Sequence, residues 1–224
     1  MKLTIYYTLL LTTTSLASNC GQRSNQTGFV KSDTTQLLSR QIIVSDGCDG
    51  CDLMYQGLPS LNKLSWITTI AGSKELGEKM VISGTVNSAN GIPAPNIILY
   101  VYQTDAKGYY SPSDNQIINT RHGHLRGWMI TDKKGQYTFT TVRPGAYPGR
   151  DIPAHIHPII KESGKIEYYI DDYLFDDDLR LTAAKKNKLE NRGGSGIIHL
   201  TKNKAGDWIG FRDITLGSNI PNYK

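Results

Sequence analysis

From about residue 79 onward, apolar and polar positions alternate in short runs bounded by Gly, Pro, Asn or Asp. Such alternation places side chains on the two faces of an extended strand. It predicts strands at residues 79–86, 97–104, 128–131, 136–142, 154–160, 168–174, 196–200 and 208–216, most of them rich in β-branched and aromatic residues. Asp132-Lys133-Lys134-Gly135 reads as a turn joining two of these strands. One segment reads instead as a helix, residues 182–190, with Thr182 as its N-cap and Gly193 just past its end. Closely spaced strands with one short helix predict a mainly β protein, an antiparallel β-sandwich core with long loops.

The N-terminal residues depart from this pattern. Met1-Lys2 is followed by a largely apolar run to Leu11 and a small-residue stretch to Ser18. That is the layout of a secretory signal, and the run is too short to span a bilayer comfortably. Leu16-Ala17-Ser18-Asn19-Cys20 resembles a bacterial lipoprotein cleavage site, although Asn19 matches it poorly. The alternative is ordinary cleavage near Ala17 with Cys20 left as a thiol. Residues 20–45 are rich in Ser, Thr, Gln and Asn and read as a polar tether. The expected organisation is a signal at 1–19, a tether at 20–45 and a folded domain at 46–224. The protein is expected to be exported to the cell envelope and to touch the membrane only through a lipid on Cys20.

Cys48 and Cys51 are the remaining cysteines. In an exported protein a local disulfide ranks ahead of free thiols and of a metal site. The net charge of +5 is mild, and the densest cationic run, Lys185-Lys186-Asn187-Lys188, reads as a solvated helix face. Nothing forms the basic stripe of a nucleic-acid binder.

Pro153-Ala154-His155-Ile156-His157 holds two imidazoles at i and i+2, on one face of a strand. Two flanking prolines, Pro153 and Pro158, stiffen the backbone. Of the 13 tyrosines, most fall in strand patterns, but Tyr110 and Tyr147 follow Gly108 and Gly145 at turns. A phenol has a free pKa of about 10 and ligates well only to a strong Lewis acid. Two phenolates with two imidazoles suit trivalent iron better than zinc.

These motifs resemble the intradiol ring-cleavage dioxygenases, the family of catechol 1,2- and protocatechuate 3,4-dioxygenases. The likeness runs in order through Gly84-Thr85-Val86, Tyr102-Gln103-Thr104-Asp105-Ala106-Lys107-Gly108-Tyr109-Tyr110 and Arg126-Gly127-Trp128-Met129-Ile130-Thr131-Asp132. It continues through Gly135-Gln136-Tyr137-Thr138-Phe139-Thr140-Thr141, Pro144-Gly145-Ala146-Tyr147-Pro148 and the histidine segment. Cys48 to Pro59 looks like the leading segment of a secreted or lipoprotein branch. The resemblance implies a β-sandwich holding non-haem Fe(III) on Tyr110, Tyr147, His155 and His157, with Tyr147 and His157 axial and Tyr110 and His155 equatorial. It implies a small aromatic diol and O2 as substrates. Both diol oxygens would reach the iron, Tyr147 would leave it and take a substrate proton, and the ring would open between the hydroxyl-bearing carbons to a muconate-type diacid.

Two departures stand out. Well-known members carry an arginine where this chain has Ile152. The nearest cation is Arg150, on the same face as position 152 if the segment is extended, and Arg126 and Arg121 are other replacements. The usual glutamine behind the ligands is absent, with Asp172 near its place. A second His-x-His, His122 and His124, reads as a pocket wall or as a surface loop. Two rival readings remain. One is a cupin-like metal enzyme, since His155, His157 and Glu162 satisfy His-x-His-x4-Glu and only His199 lies downstream. The other is a non-catalytic tethered β-sandwich binding module. Monomer and homodimer are both open. Lipidation predicts that the full chain expressed in bacteria fractionates with membranes and that Cys20→Ser releases it, as read by detergent-phase partitioning.

Overall fold

Residues 98–103 divide cleanly between two faces. Leu99 and Val101 enter one apolar layer, while Ile98, Tyr100 and Tyr102 enter another. They form β3 (Ile98–Gln103) in a computed structural model that describes residue 48, residues 50–112 and residues 122–223. The expected signal and tether, with Cys20, and also Arg121 lie outside the described residues.

β3 belongs to a sheet ordered β4 (Arg126–Ile130), β3, β6 (His155–Lys161), β8 (Tyr173–Phe175) and β9 (Ile197–Ile198), with β7 (Tyr168–Tyr169) also on β6. The other sheet runs β1 (Ile67–Thr69), β5 (Gln136–Val142), β2 (Lys79–Asn87), β11 (Trp208–Phe211) and β10 (Thr201–Lys202), with β12 (Ile214–Thr215) also on β2. The sheets pack face to face. Met80, Ile82, Tyr137 and Phe139 meet Leu99, Val101, Ile156, Ile160 and Phe175 in one buried cluster. Phe139 sits edge-on to Tyr173 at 5.8 Å between ring centroids, bridging the two layers.

This is the expected mainly β sandwich. The α-helix among the described residues is α1 (Ala183–Lys186), and Thr182 Oγ1 accepts from Lys185 N at 3.4 Å as its cap; Cys51–Tyr55 and Leu61–Lys63 form short 3-10 turns. α1 is shorter than predicted, since single turns follow it to Leu189. The central pairs β2–β5, β3–β4 and β3–β6 are antiparallel. The pairs β1–β5, β2–β11, β2–β12 and β8–β9 are parallel. Parallel neighbours need a long crossover, and residues 176–196, which include α1, supply one between β8 and β9. Strand period reports faces, not partners, so these pairings were not readable.

Two predicted strands are interrupted, and acids hold both breaks. Residues 168–174 split into β7 and β8 where Asp171 accepts from Asn191 N at 2.8 Å and Arg192 N at 3.2 Å. Residues 208–216 split into β11 and β12 where Asp213 accepts from Thr85 N at 2.8 Å. The turn at 132–135 does join two strands, yet it carries the chain from one sheet to the other. Asp132 Oδ1 braces it by accepting from Lys134 N and Gln136 N, both at 2.8 Å. β1 and β10, three and two residues long, gave too little pattern to be predicted.

The outer face of the β3–β6 sheet is partly covered. Cys51 and Met54 pack on Ile98, Tyr100 and Ile159, with Leu61 and Leu64 beside them. Trp128 Nε1 donates to Met54 O at 2.7 Å, pinning this segment to the sheet. Cys48 and Cys51 form a disulfide, the first of the expected alternatives. Replacing Phe139 by Ala is expected to cost about 3–5 kcal/mol, because it opens a cavity between the sheets. The measurement is a lower urea midpoint at unchanged m-value.

Candidate metal centre

β6 is held on both edges. Tyr102 lies opposite His157 on β3, and Leu174 lies opposite His155 on β8. With Ile156 and Ile160 in the inter-sheet core, the strand's alternation turns His155 and His157 outward together. The Tyr102 ring stacks on His157 at 4.6 Å, and His122 stacks behind Tyr102 at 3.6 Å.

The two phenols arrive on loops that dock backbone to backbone. Asp105 organises the first. Its Oδ1 accepts from Lys107 N at 2.8 Å and Tyr109 N at 3.1 Å, and its Oδ2 accepts from Ser111 Oγ at 2.6 Å. The carbonyl of Asp105 then accepts from Gly145 N at 2.8 Å, and Thr104 Oγ1 donates to Gly145 O at 2.8 Å. The approach is so close that only glycine fits. A Cβ on Gly108, at φ +87°, would lie 2.0 Å from Ala146 O, and one on Gly145 would lie 2.6 Å from Ala106 O. This docking brings Tyr110 Oη to 2.7 Å from Tyr147 Oη.

Four donor atoms converge. Tyr147 Oη is 3.2 Å from His155 Nε2 and 3.4 Å from His157 Nε2. His157 Nε2 is 3.0 Å from His155 Nε2 and 3.0 Å from Tyr110 Oη. For a cation about 2.0–2.1 Å from each donor, donors at 90–109° would stand about 2.8–3.4 Å apart, close to the 2.7–3.4 Å of these five contacts. The ring tautomers agree. His155 Nδ1 lies 2.7 Å from Pro153 O, which can only accept, so Nδ1 carries the proton and Nε2 presents a lone pair. His157 Nδ1 lies 2.8 Å from Asp172 Oδ1, a carboxylate that accepts its proton, so this ring too turns Nε2 toward the other donors. The two Nε2 atoms face each other at 3.0 Å, a separation that one cation between them would bridge. The donor set therefore fits a metal ion.

His155, His157 and Asp172 also lie within 4.8 Å as a possible ligand trio. Asp172 is bonded to the far nitrogen of His157, so it orients that ring instead of facing the donors. Arg212 Nη1 donates to Asp171 O at 2.7 Å and steadies the chain beside Asp172. Burial works to raise the Asp172 carboxyl, but the adjoining His157, with His155 and Arg212, outweighs it and holds the pKa below the usual value. Burial, then the neighbouring His157, pushes the His155 imidazole below its usual value and keeps it neutral. Burial raises both phenols, with Tyr147 adding to the effect on Tyr110. Each keeps its proton until a cation displaces it.

A cavity of about 320 Å³ opens beside the donors, bounded by Tyr147, His155 and His157 and by Ile152, Leu181 and Lys185. Arg150 does not line it. Residues 147–150 form a turn, with Arg150 N donating to Tyr147 O at 3.1 Å and Gly149 at φ +69°, and the Arg150 side chain is exposed. The segment is not extended, so the same-face expectation lacks its condition. Arg126 instead lies 5.9 Å from the Trp128 ring. The second His-x-His does not act as a pair. His124 bonds Glu75 at 2.7 Å and Ser111 O at 2.8 Å, while His122 bonds Tyr100 Oη at 2.9 Å and backs Tyr102. The cupin spacing does not assemble either. Glu162 accepts from Tyr168 and Tyr223, and His199 is an exposed partner of Asp176. Tyr102 and Arg212 were missed, for neither has a sequence signal apart from its fold.

Residues 59–187 match the profile of a family described as Dioxygenase. The chain is 30% identical over 132 residues to catechol 1,2-dioxygenase of Acinetobacter baylyi, covering 47% of this chain and 41% of that protein. It is 32% identical over 101 residues to the protocatechuate 3,4-dioxygenase beta chain of Burkholderia cepacia, covering 39% of this chain and 40% of that one. The chain thus spans about two fifths of the length of these curated relatives. Its fold is similar to the crystal structure of 3-chlorocatechol 1,2-dioxygenase from Rhodococcus opacus 1CP, with TM-score 0.54, 23% identity, and coverage of 68% of this chain and 65% of that one.

The loop docking yields a prediction. Gly108→Ala is expected to push the Tyr110 loop off the Tyr147 loop and weaken metal binding at least tenfold, with a stability loss of about 1–3 kcal/mol. Metal titration followed by thermal denaturation measures both.

Proposed function

The chain belongs to the intradiol ring-cleavage dioxygenase family, and on that premise we propose that Tyr110, Tyr147, His155 and His157 hold a ferric ion. We further propose that the protein opens the ring of a catechol-type diol with O2, both oxygen atoms entering a muconate-type diacid. The observation that carries this reading is the convergence of two phenol oxygens and two imidazole lone pairs at metal-ligand spacing. Bound there, Fe(III) would supply a Lewis acid that acidifies the diol and makes its ring carbons reactive toward O2.

The protein's own residues divide the remaining work. Tyr147 borders the cavity and Tyr110 does not, so Tyr147 is the phenol that an incoming diol would meet. Burial raises its proton affinity, which suits it to take a diol proton as a base. Tyr110 stays behind it, against the Tyr102 ring at 6.1 Å. Pro153 O and Asp172 fix the two imidazoles so that their Nε2 atoms keep one orientation throughout. The relatives named above are named for catechol and protocatechuate, and a small aromatic diol is the substrate class proposed here.

Purified protein is expected to take up one ferric ion per chain and to show a tyrosinate-to-iron absorption band in the visible. Tyr147→Phe should shift that band and abolish oxygen uptake with catechols. A colourless protein that cannot be reconstituted with iron would rule the reading out and favour a non-catalytic module. Two phenol protons must leave as the ion enters, so uptake should weaken as pH falls. The slope expected is on the order of 100-fold per pH unit in affinity for free Fe(III).

A further inference from the structure

Apart from the donors and Asp172, the cavity lining is mostly apolar. Ile152, Pro153, Leu174, Leu181 and Leu189 form it, and Lys185 is the cation among its residues. An ammonium in such a place invites the idea of an anion site. Its hydrogen bonds argue otherwise. Lys185 Nζ donates to Asp151 O at 2.6 Å and Arg180 O at 3.0 Å, and it pairs with Asp151 Oδ2 at 2.9 Å. A lysine has three N–H donors, and here each has an acceptor. Asp151 adjoins Ile152, and Arg180 adjoins Leu181. The ammonium therefore ties together the two chain segments that carry the apolar wall. Asp172, the other ionisable group beyond the donors, is an acid bonded to His157 and offers nothing to an anion.

We propose that this cavity selects diols bearing an apolar chain on the ring, and that Lys185 is a positioning residue that holds its wall. The inference rests on the dioxygenase reading above and adds the substrate class. The volume of about 320 Å³ falls at the low end of ligand pockets, about 300–1,000 Å³. That suits one ring with a short substituent. Each methylene buried against the wall contributes about 0.8 kcal/mol, about fourfold in affinity.

The test is a binding series of catechol, 4-propylcatechol and protocatechuate. Affinity is read anaerobically from the tyrosinate band of the Fe(III) protein. It is read independently on metal-free protein by methyl resonance titration of the Leu and Ile side chains. The expected order is 4-propylcatechol, tighter than catechol by about tenfold or more, then protocatechuate weakest. Leu181→Ala should lower the preference for 4-propylcatechol over catechol, and Leu181→Met should retain it. Lys185→Met should lower the preference for 4-propylcatechol over catechol as Leu181→Ala does, because the wall it holds loosens. Protocatechuate binding as tightly as 4-propylcatechol, or a Lys185→Met loss confined to protocatechuate, overturns the proposal. A protein that takes up no iron, yet ranks the ligands in this order when metal-free, overturns the dioxygenase reading and supports this one.

Discussion

β6 can occupy its place in only one register. It is hydrogen-bonded to β3 on one edge and to β7 and β8 on the other, and Ile156 and Ile160 fill the space between the sheets. A slip of one residue would exchange the two faces, burying His155 and His157 in the core and turning the isoleucines outward. Hydrophobic burial thus sets where the imidazoles point, and the metal donors inherit the precision of the core. Tyr102, opposite His157 on β3, stacks on it because the same register brings the two rings together.

The phenols depend on a different constraint. They ride on loops, which tertiary packing must hold rigid if a four-donor centre is to form. Here one carboxylate, Asp105, closes the first loop on itself through three bonds, and a glycine on each loop allows direct backbone contact. The electrostatics follow from that geometry. Burial makes the phenols weaker acids and His155 a weaker base, so the phenols hold their protons and His155 offers its lone pair. A cation reverses the first and uses the second.

Much of this was legible along the chain. His155 and His157 share a face because strand period is two, and Tyr110 and Tyr147 stand out because each follows a turn glycine. Asp172 was noticed by position, but its bond to His157 arises where the predicted strand 168–174 breaks, and no local pattern marks that break. Arg150 was placed beside the pocket on the assumption of extended backbone. Residues 147–150 form a turn with Gly149 left-handed, so that assumption does not hold, and Lys185, which reads as one member of a solvated helix face, lines the cavity. The parallel edge pairs were likewise beyond reach, because alternation carries no information about neighbours far apart in sequence.

The sequence by itself determined the β-sandwich class, the capped short helix at Thr182 and the residue types able to ligate a metal. Those follow from local physics, namely side-chain period, turn chemistry and donor hardness. Tertiary structure alone decided that the four donor atoms converge through five contacts of 2.7–3.4 Å, that both Nδ1 atoms are engaged so that both Nε2 atoms face the site, and that the cavity wall is apolar with its ammonium saturated. Each of these depends on segments distant in the chain packing against one another, and such distances are set by the whole core at once.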